Sequence, residues 1–198
     1  APVVAVDPHT GSSGFPTVDA DSLTGGRLAT EHLLSLGHRR IALLAGRADL
    51  QSAKLREQGY REALAAAEVP FTDALVRVGG YDAELSRLAA QELLTGPQRP
   101  TAVFAANDVT AIATIEVALS LGLRVPEDLS VVGFDNIPES ALCTPPLTTV
   151  NQPIRTMGER AVELLIRLIR EQPVECTHLT LATGLVVRGS TAPARRAP

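Results

Sequence analysis

Residues 101–135 read TAVFAANDVTAIATIEVALSLGLRVPEDLSVVGFD. Thr101 to Ala106 is an apolar run of strand length, Asp108 to Leu121 is long enough for a helix that Gly122 ends, and Leu129 to Phe134 is a second apolar run. A strand that is apolar throughout is buried on both faces, and two such strands joined through a helix run parallel, since parallel neighbours need a crossover. The stretch therefore predicts one strand–helix–strand unit of a buried parallel sheet.

The alternation continues upstream. Asp21 offers an N-cap, and Leu23, Leu28, Ala29, Leu33 and Leu36 trace a helical face that Gly37 stops. Ile41 to Ala45 is then a buried strand. A helix from about Ser52 to Ala67 and a strand near Leu75 to Val78 follow, then a helix from Ala83 to Leu94 and a Gly96-Pro97 turn into the strand at 101. Before all of these, Val3 to Val6 reads as a short buried strand, Thr10 to Gly14 as a turn, and the next few residues as an extended piece ending at Asp19.

Downstream, Pro138, Pro145 and Pro146 mark an irregular stretch before a short strand at Leu147 to Val150. Pro153 opens a helix carrying Ile154, Met157, Ala161, Leu164, Leu165 and Leu168. Thr177 to Leu181 and Leu185 to Val187 are short strands around Gly184, and Ala192 to Pro198 reads as a mobile tail with Arg195 and Arg196 solvated. The fold class is α/β, a parallel sheet flanked by helices.

At 198 residues the chain suits one ordinary domain or two lobes sharing a core. Eighteen Lys and Arg face 22 Asp and Glu, a net charge of -4, so the chain lacks the basic excess that phosphate-backbone binding requires. Hydrophobic residues reach 45% with only 3% aromatic, so Ala, Leu, Val and Ile must build the core. The two cysteines, Cys143 and Cys176, form no short-spaced pair, which argues against zinc, iron–sulfur and disulfide scaffolds and makes a reducing cytoplasm the simplest setting. No apolar run is long enough to expect a membrane span, and no signal peptide is apparent.

In a parallel sheet, ligands gather at the carboxyl ends of the strands. Those ends carry Asp7, Asp19, Gly46 with its loop, Gly79 to Tyr81, Asn107-Asp108 and Asp135-Asn136. Asp, Asn and Arg together supply the donors and acceptors that hold a polyhydroxylated ligand, although the same residues cap helices and form turns. Asn107, which both donates and accepts, is the better contact than Asp108, which suits the start of the following helix. Arg56, beside Lys54 and Glu57, reads from spacing alone as part of a solvated charge pattern.

Little points to catalysis. His9, His32, His38 and His178 are scattered with no H-x-x-x-H or H-E-x-x-H pair, and G-x-S-x-G, G-x-x-x-x-G-K-[ST] and G-x-G-x-x-G are all absent. His38-Arg39-Arg40 reads as a surface loop whose charges complement a helix end. Cys143, in the Pro-rich segment, has no adjacent activating base, and neither cysteine is expected to be catalytic. No enzyme, metal or cofactor is expected.

The ordered set LGHRRI (36–41), REQGY (56–60), Ala102 to AAND ending at Asp108, VPEDLSVVGFD (125–135), LTTVNQP (147–153) and MGERA (157–161) resembles the lactose/galactose repressor family of bacterial transcriptional regulators. The resemblance covers about Val3 to Ser190 and only the later portion of such a regulator: the amino-terminal helix-turn-helix headpiece, the hinge helix and the first strands of the effector domain have no counterpart. It implies a fold like that of the periplasmic sugar-binding proteins. Residues 1–19 and 151–180 would form part of a first lobe, 20–150 and 181–191 a second lobe, and 192–198 the tail.

The resemblance further implies a small-molecule effector between the lobes, with a sugar favoured and nucleosides, purines and other metabolites as alternatives. Carried over position by position, Arg56 would clamp the ligand, Asn107 and Asp135 would contact it from the second lobe, Asp7 and Asp19 would lie near the first lobe and crossover, and Tyr81 would stack on it. Operator DNA would be held by the headpiece, and the intact protein would be a cytoplasmic homodimer. An exported sugar-binding protein of a transport or chemotaxis system is the alternative, ranked below because of the VPEDLSVVGFD and LTTVNQP pair.

Overall fold

The computed structural model describes residues 1–8, 14–174 and 177–195. The expected turn at Thr10 to Gly14, apart from Gly14 itself, and His9, Cys176 and Arg196 lie outside the described residues.

One fully buried strand, whose residues join two apolar clusters in alternation, shows how the larger sheet is built. In β3 (Ile41–Ala45), Ile41, Leu43 and Ala45 belong to one apolar cluster and Ala42 and Leu44 to another. Successive strand side chains point to opposite faces, so both faces must be covered. α1 (Ser22–Ser35) and α2 (Gln51–Ala66) cover one face through Ala29, Leu33, Tyr60 and Leu64. α3 (Ala83–Thr95) and α4 (Asp108–Ser120) cover the other through Ala90, Leu93, Ala111 and Ile115.

With β4 (Val76–Val78), β5 (Ala102–Ala105), β6 (Ser130–Asp135), β7 (Thr148–Asn151) and β9 (Gly184–Val186), this sheet has the order β4-β3-β5-β6-β7-β9. Its pairings are parallel except that of β7 with β9. A separate parallel sheet, β1-β2-β8, joins β1 (Ala5–Val6), β2 (Thr17–Ala20) and β8 (His178–Leu181). α6 (Ile154–Ile169) packs on it through Met157, Ala161 and Leu164 against Val18 and Ala20. The remaining faces of α6 leave Ile154, Val162, Ile166 and Ile169 exposed.

Four expectations need correction. The strand at Val3 to Val6 is shorter and not buried: Val3 and Val6 are exposed, because β1 is the edge of the small sheet. The strand near Leu75 begins at Val76, since a 3-10 turn occupies Asp73–Leu75. Part of the irregular Pro-rich stretch is a short helix, α5 (Pro138–Leu142), with proline in its first turn, where a missing N–H costs nothing.

The fourth correction joins two misreadings. His38 is no surface residue: only 3% exposed, it bonds Thr101 Oγ1 through Nδ1 at 3.0 Å, and Ser130 Oγ and the Ala192 carbonyl through Nε2 at 3.1 and 3.0 Å. The described part of the expected tail is correspondingly tied down. Ala192 N donates to Ser130 Oγ at 3.0 Å, Ala194 N to the Leu36 carbonyl at 2.8 Å, and Arg195 pairs with Asp128 at 3.0 Å. A buried polar ring needs partners, and this terminal strap supplies one of them.

Candidate functional site

Four of the six strands of the larger sheet deliver a polar residue at or just beyond the carboxyl end, and α2 brings Arg56 across them. Asp135 ends β6, Asn107 follows β5, Tyr81 follows the glycines after β4, and Gln152 follows β7. Together with Asp7, just beyond β1, and with Ser52 they line a cleft of about 310 Å³. Five of the six expected residues thus converge. Asp19 lies instead in an adjoining hollow of about 350 Å³, with Asp7 and Ser52 lining both. Its carboxylate stands 3.4 Å from His178 Nδ1; burial raises its pKa against the opposing pull of Thr17 and His178.

Arg56 is only 4% exposed, which overturns its solvated reading from spacing alone. Nη1 donates to the Ala106 carbonyl at 2.6 Å and lies 3.5 Å from Asp135 Oδ1, while Nη2 donates to Gln152 Oε1 at 2.8 Å. The guanidinium stacks 3.7 Å from the centre of the Phe134 ring, a favourable cation–π contact. A buried cation needs this density of partners. Nε and the Tyr81 hydroxyl are nonetheless buried with no hydrogen-bond partner among the described residues. The guanidinium is near enough to oppose the upward push of burial on the Tyr81 pKa, but no well-aligned bond joins the two.

Asp135 is the electrostatic centre of the cleft. Burial pushes its pKa up to about 7; Arg56 pulls it down, while the charges of Asp108 and Asp7 add to the rise. Asn107 caps α4, its Oδ1 accepting from Thr110 N at 2.9 Å, and no described residue accepts from its side-chain amide nitrogen. Asp108 does not line the cleft. Tyr81 fits because residue 46 is glycine: a Cβ there would lie 2.3 Å from the Tyr81 hydroxyl and ring.

The backbone also marks this region. Asp7, Tyr81, Asp135 and Asn136 have φ of 45°, 64°, 108° and 61°. Such conformations are costly for residues with a Cβ and concentrate where the surroundings hold a site in place.

Gln152 and Ser52 escaped the sequence reading. Gln152 lies in LTTVNQP two positions past the expected strand end at Val150 and directly follows the observed β7, so the strand-end rule reaches it only with the strand's true bounds. Ser52 had no such signal, being one residue into a helix. Among the described residues no group of three or more His, Cys, Asp or Glu could hold a metal ion. The Cys143 thiol contacts the Ser140 and Pro145 carbonyls, and burial raises its pKa, which works against a thiolate nucleophile. No helix among the described residues is long and apolar enough to cross a membrane.

Residues 30–191 match the family described as periplasmic binding protein-like domain. The HTH-type transcriptional regulator CelR of Thermobifida fusca is 42% identical over 173 residues, 87% of this chain and 51% of that protein. A solved transcriptional regulator CelR–cellobiose complex superposes with a TM-score of 0.89 at 40% identity, covering 94% of this chain and 58% of that one. The lac repressor dimer bound to operator and the anti-inducer ONPF superposes with a TM-score of 0.87 at 33% identity, covering 97% and 66%. The chain spans about half the length of the curated relatives it matches. These relatives are transcriptional regulators. By its matched domain and its relatives, the chain belongs to the periplasmic binding protein-like domains of the lactose/galactose repressor family.

Proposed function

We propose that this chain is the effector-sensing and dimerisation portion of a bacterial DNA-binding regulator, taking a small molecule, with a sugar favoured, into the Arg56 cleft. The carrying observation is the convergence of Asp7, Arg56, Tyr81, Asn107 and Asp135 around one cleft between the two sheets. Carboxylates and amides accept and donate to hydroxyls, and Tyr81 offers a flat face to a sugar ring. In this reading residues 1–19 and 151–180 form a partial N-terminal lobe, and 20–150 with 181–191 the C-terminal lobe, in keeping with the two sheets.

A ligand gripped by both lobes favours one lobe arrangement, and a dimer converts that preference into the spacing of two headpieces on an operator. The headpiece, outside this chain, carries the DNA contacts, consistent with a net charge of -4 here. Sensing requires no bond chemistry, so we assign no enzymatic activity and place the regulator in the cytoplasm with its DNA. The regulator relatives favour this reading over an exported sugar-binding protein.

The test is calorimetric titration of the intact regulator with cellobiose, D-ribose, lactose and D-galactose, beside its Arg56→Ala and Asp135→Ala variants. Saturable heat that both substitutions weaken supports the assignment. Binding untouched by either substitution places the effector elsewhere.

A further inference from the structure

We infer that Asp108 is a positioning residue of this cleft, fixing the β6–α5 turn so that Asp135 faces Arg56. The inference rests on the reading of the cleft as the effector site. Asp108 is the first residue of α4, fully buried. An acidic residue at a helix start is ordinarily a solvated complement to the helix dipole, and the cap of α4 is already supplied by Asn107. Burying a carboxylate for that purpose alone would be wasteful.

Its oxygens go elsewhere. Oδ1 accepts from Thr149 Oγ1 of β7 at 2.5 Å, and Oδ2 accepts from Ile137 N at 2.9 Å, with the Asn136 amide also stabilising the charge. One carboxylate therefore ties the start of α4, which presents Asn107, to the turn that presents Asp135 and to the strand that leads to Gln152. The sheet makes room for it: a Cβ on Gly133 would lie 2.3 Å from Asp108 Oδ1.

The turn needs such a tie. Asp135 and Asn136 are consecutive residues with positive φ, a conformation that persists only where neighbours over-determine it. Asn136 is held from the other side, its Oδ1 accepting from Arg188 Nη2 at 2.7 Å and its Nδ2 donating to Asn151 Oδ1 at 3.0 Å. Asp108 supplies the backbone half of this clasp and Arg188 the side-chain half. The charged groups bearing on the pair are Arg188 on Asp108, and Arg56, Asp7 and Asp108 on Asp135.

The test uses the whole chain with Asp108→Ala and Asp108→Asn, the carboxamide still able to accept from backbone amides. Two readouts need no effector: hydrogen exchange at Asn136 and Ile137 relative to residues 111–118 of α4, and the 13C titration of the Asp135 carboxyl, assigned by its loss in Asp135→Asn. In Asp108→Ala the two turn amides lose about tenfold or more of their protection while α4 keeps its own. The Asp135 midpoint falls below its starting value of about 7, further than in Asp108→Asn, because the side chain leaves its buried place as well as losing a neighbouring charge. Asn restores most of the turn protection.

Equal midpoints in the two variants, or turn and helix amides losing protection together, overturn the inference. Calorimetry of the same proteins with cellobiose and D-ribose forms a separate arm. Parent protein that binds no sugar counts against the effector reading, while the exchange and titration results still decide the role of Asp108.

Discussion

Gly26 of α1 and Gly59 of α2 let the two helices touch backbone to backbone. A Cβ on Gly59 would lie 2.2 Å from the Leu23 carbonyl oxygen, and one on Gly26 would lie 2.3 Å from that of Arg56. The approach falls one turn from the Arg56 side chain, so the helix crossing sets where the guanidinium enters the cleft. Gly59→Ala gains about 1 kcal/mol of helix propensity but forces the backbones apart, and overpacking of this kind costs about 1–3 kcal/mol. The expected result is a lower urea midpoint together with weaker effector binding. Gly158→Ala on exposed α6, where a Cβ meets nothing within 4 Å, raises the midpoint instead.

Arg56→Lys tests whether the cleft needs a charge or a fork. Two guanidinium nitrogens serve the Ala106 carbonyl and Gln152 separately, and the flat group stacks on Phe134. An ammonium keeps the charge but loses the planar stack and one of these directions. Effector affinity should drop by about tenfold or more, comparable to the loss in Arg56→Ala, by calorimetry. Affinity close to that of the parent shows that charge alone suffices.

The framework of this chain was legible because helix period, buried strands and glycine stops all agree from Asp21 to Phe134. The strand-end rule then gathered Asp7, Tyr81, Asn107 and Asp135 without knowledge of their contacts. Long-range polar pairing was not legible. Arg56 looks like any helical surface arginine until Phe134 and Gln152, 78 and 96 residues away in sequence, close over it. By sequence His38 reads as a surface loop and Ala192 onward as a mobile tail, because neither carries a local sign of the other. Asp19 meets the strand-end rule only by the expected bounds: it is the penultimate residue of β2 (Thr17–Ala20) and lines the adjoining hollow rather than the cleft.

The pKa of Asp135 gives the cleft a pH signature. Raised from 3.8 to about 7, it holds its proton longer in the folded protein than in the unfolded chain. Its contribution to stability is therefore complete below pH 3.8 and is lost as pH rises through about 7. Asp108, raised to about 6, acts in the same direction over a lower range. Asp135→Asn should flatten the fall in melting temperature of the effector-free protein between about pH 4 and 7. Effector hydroxyls donating to the ionised form give the converse trend, with affinity climbing through the same range and becoming flat in Asp135→Asn. A parent melting temperature that rises through pH 7 with a slope unchanged by Asp135→Asn refutes the assignment.

His38 predicts the opposite limb. Burial lowers its pKa from 6.5, with the Ala192 carbonyl partly restoring it and His32 lowering it further; burial also lowers His32, which bonds Thr191 Oγ1 at 3.0 Å. Neutral imidazoles favour the fold, so this contribution is present above pH 6.5 and is lost as pH falls through the depressed folded-state values. Removing the ring in His38→Ala unpairs Thr101 Oγ1, Ser130 Oγ and the Ala192 carbonyl from it, and buried groups deprived of a partner cost about 1–3 kcal/mol. Ser130 still meets Ala192, which limits the loss at that end. The expected readout is faster exchange at the Ala192 and Ala194 amides than at Val131, whose partner, the Ser190 carbonyl, lies where Ser190 Oγ also anchors the chain to the Val131 carbonyl. The His38→Ala protein should also lose part of the acid-side slope of the parent melting curve. Equal acceleration at all three amides assigns His38 to general stability rather than to the terminal strap.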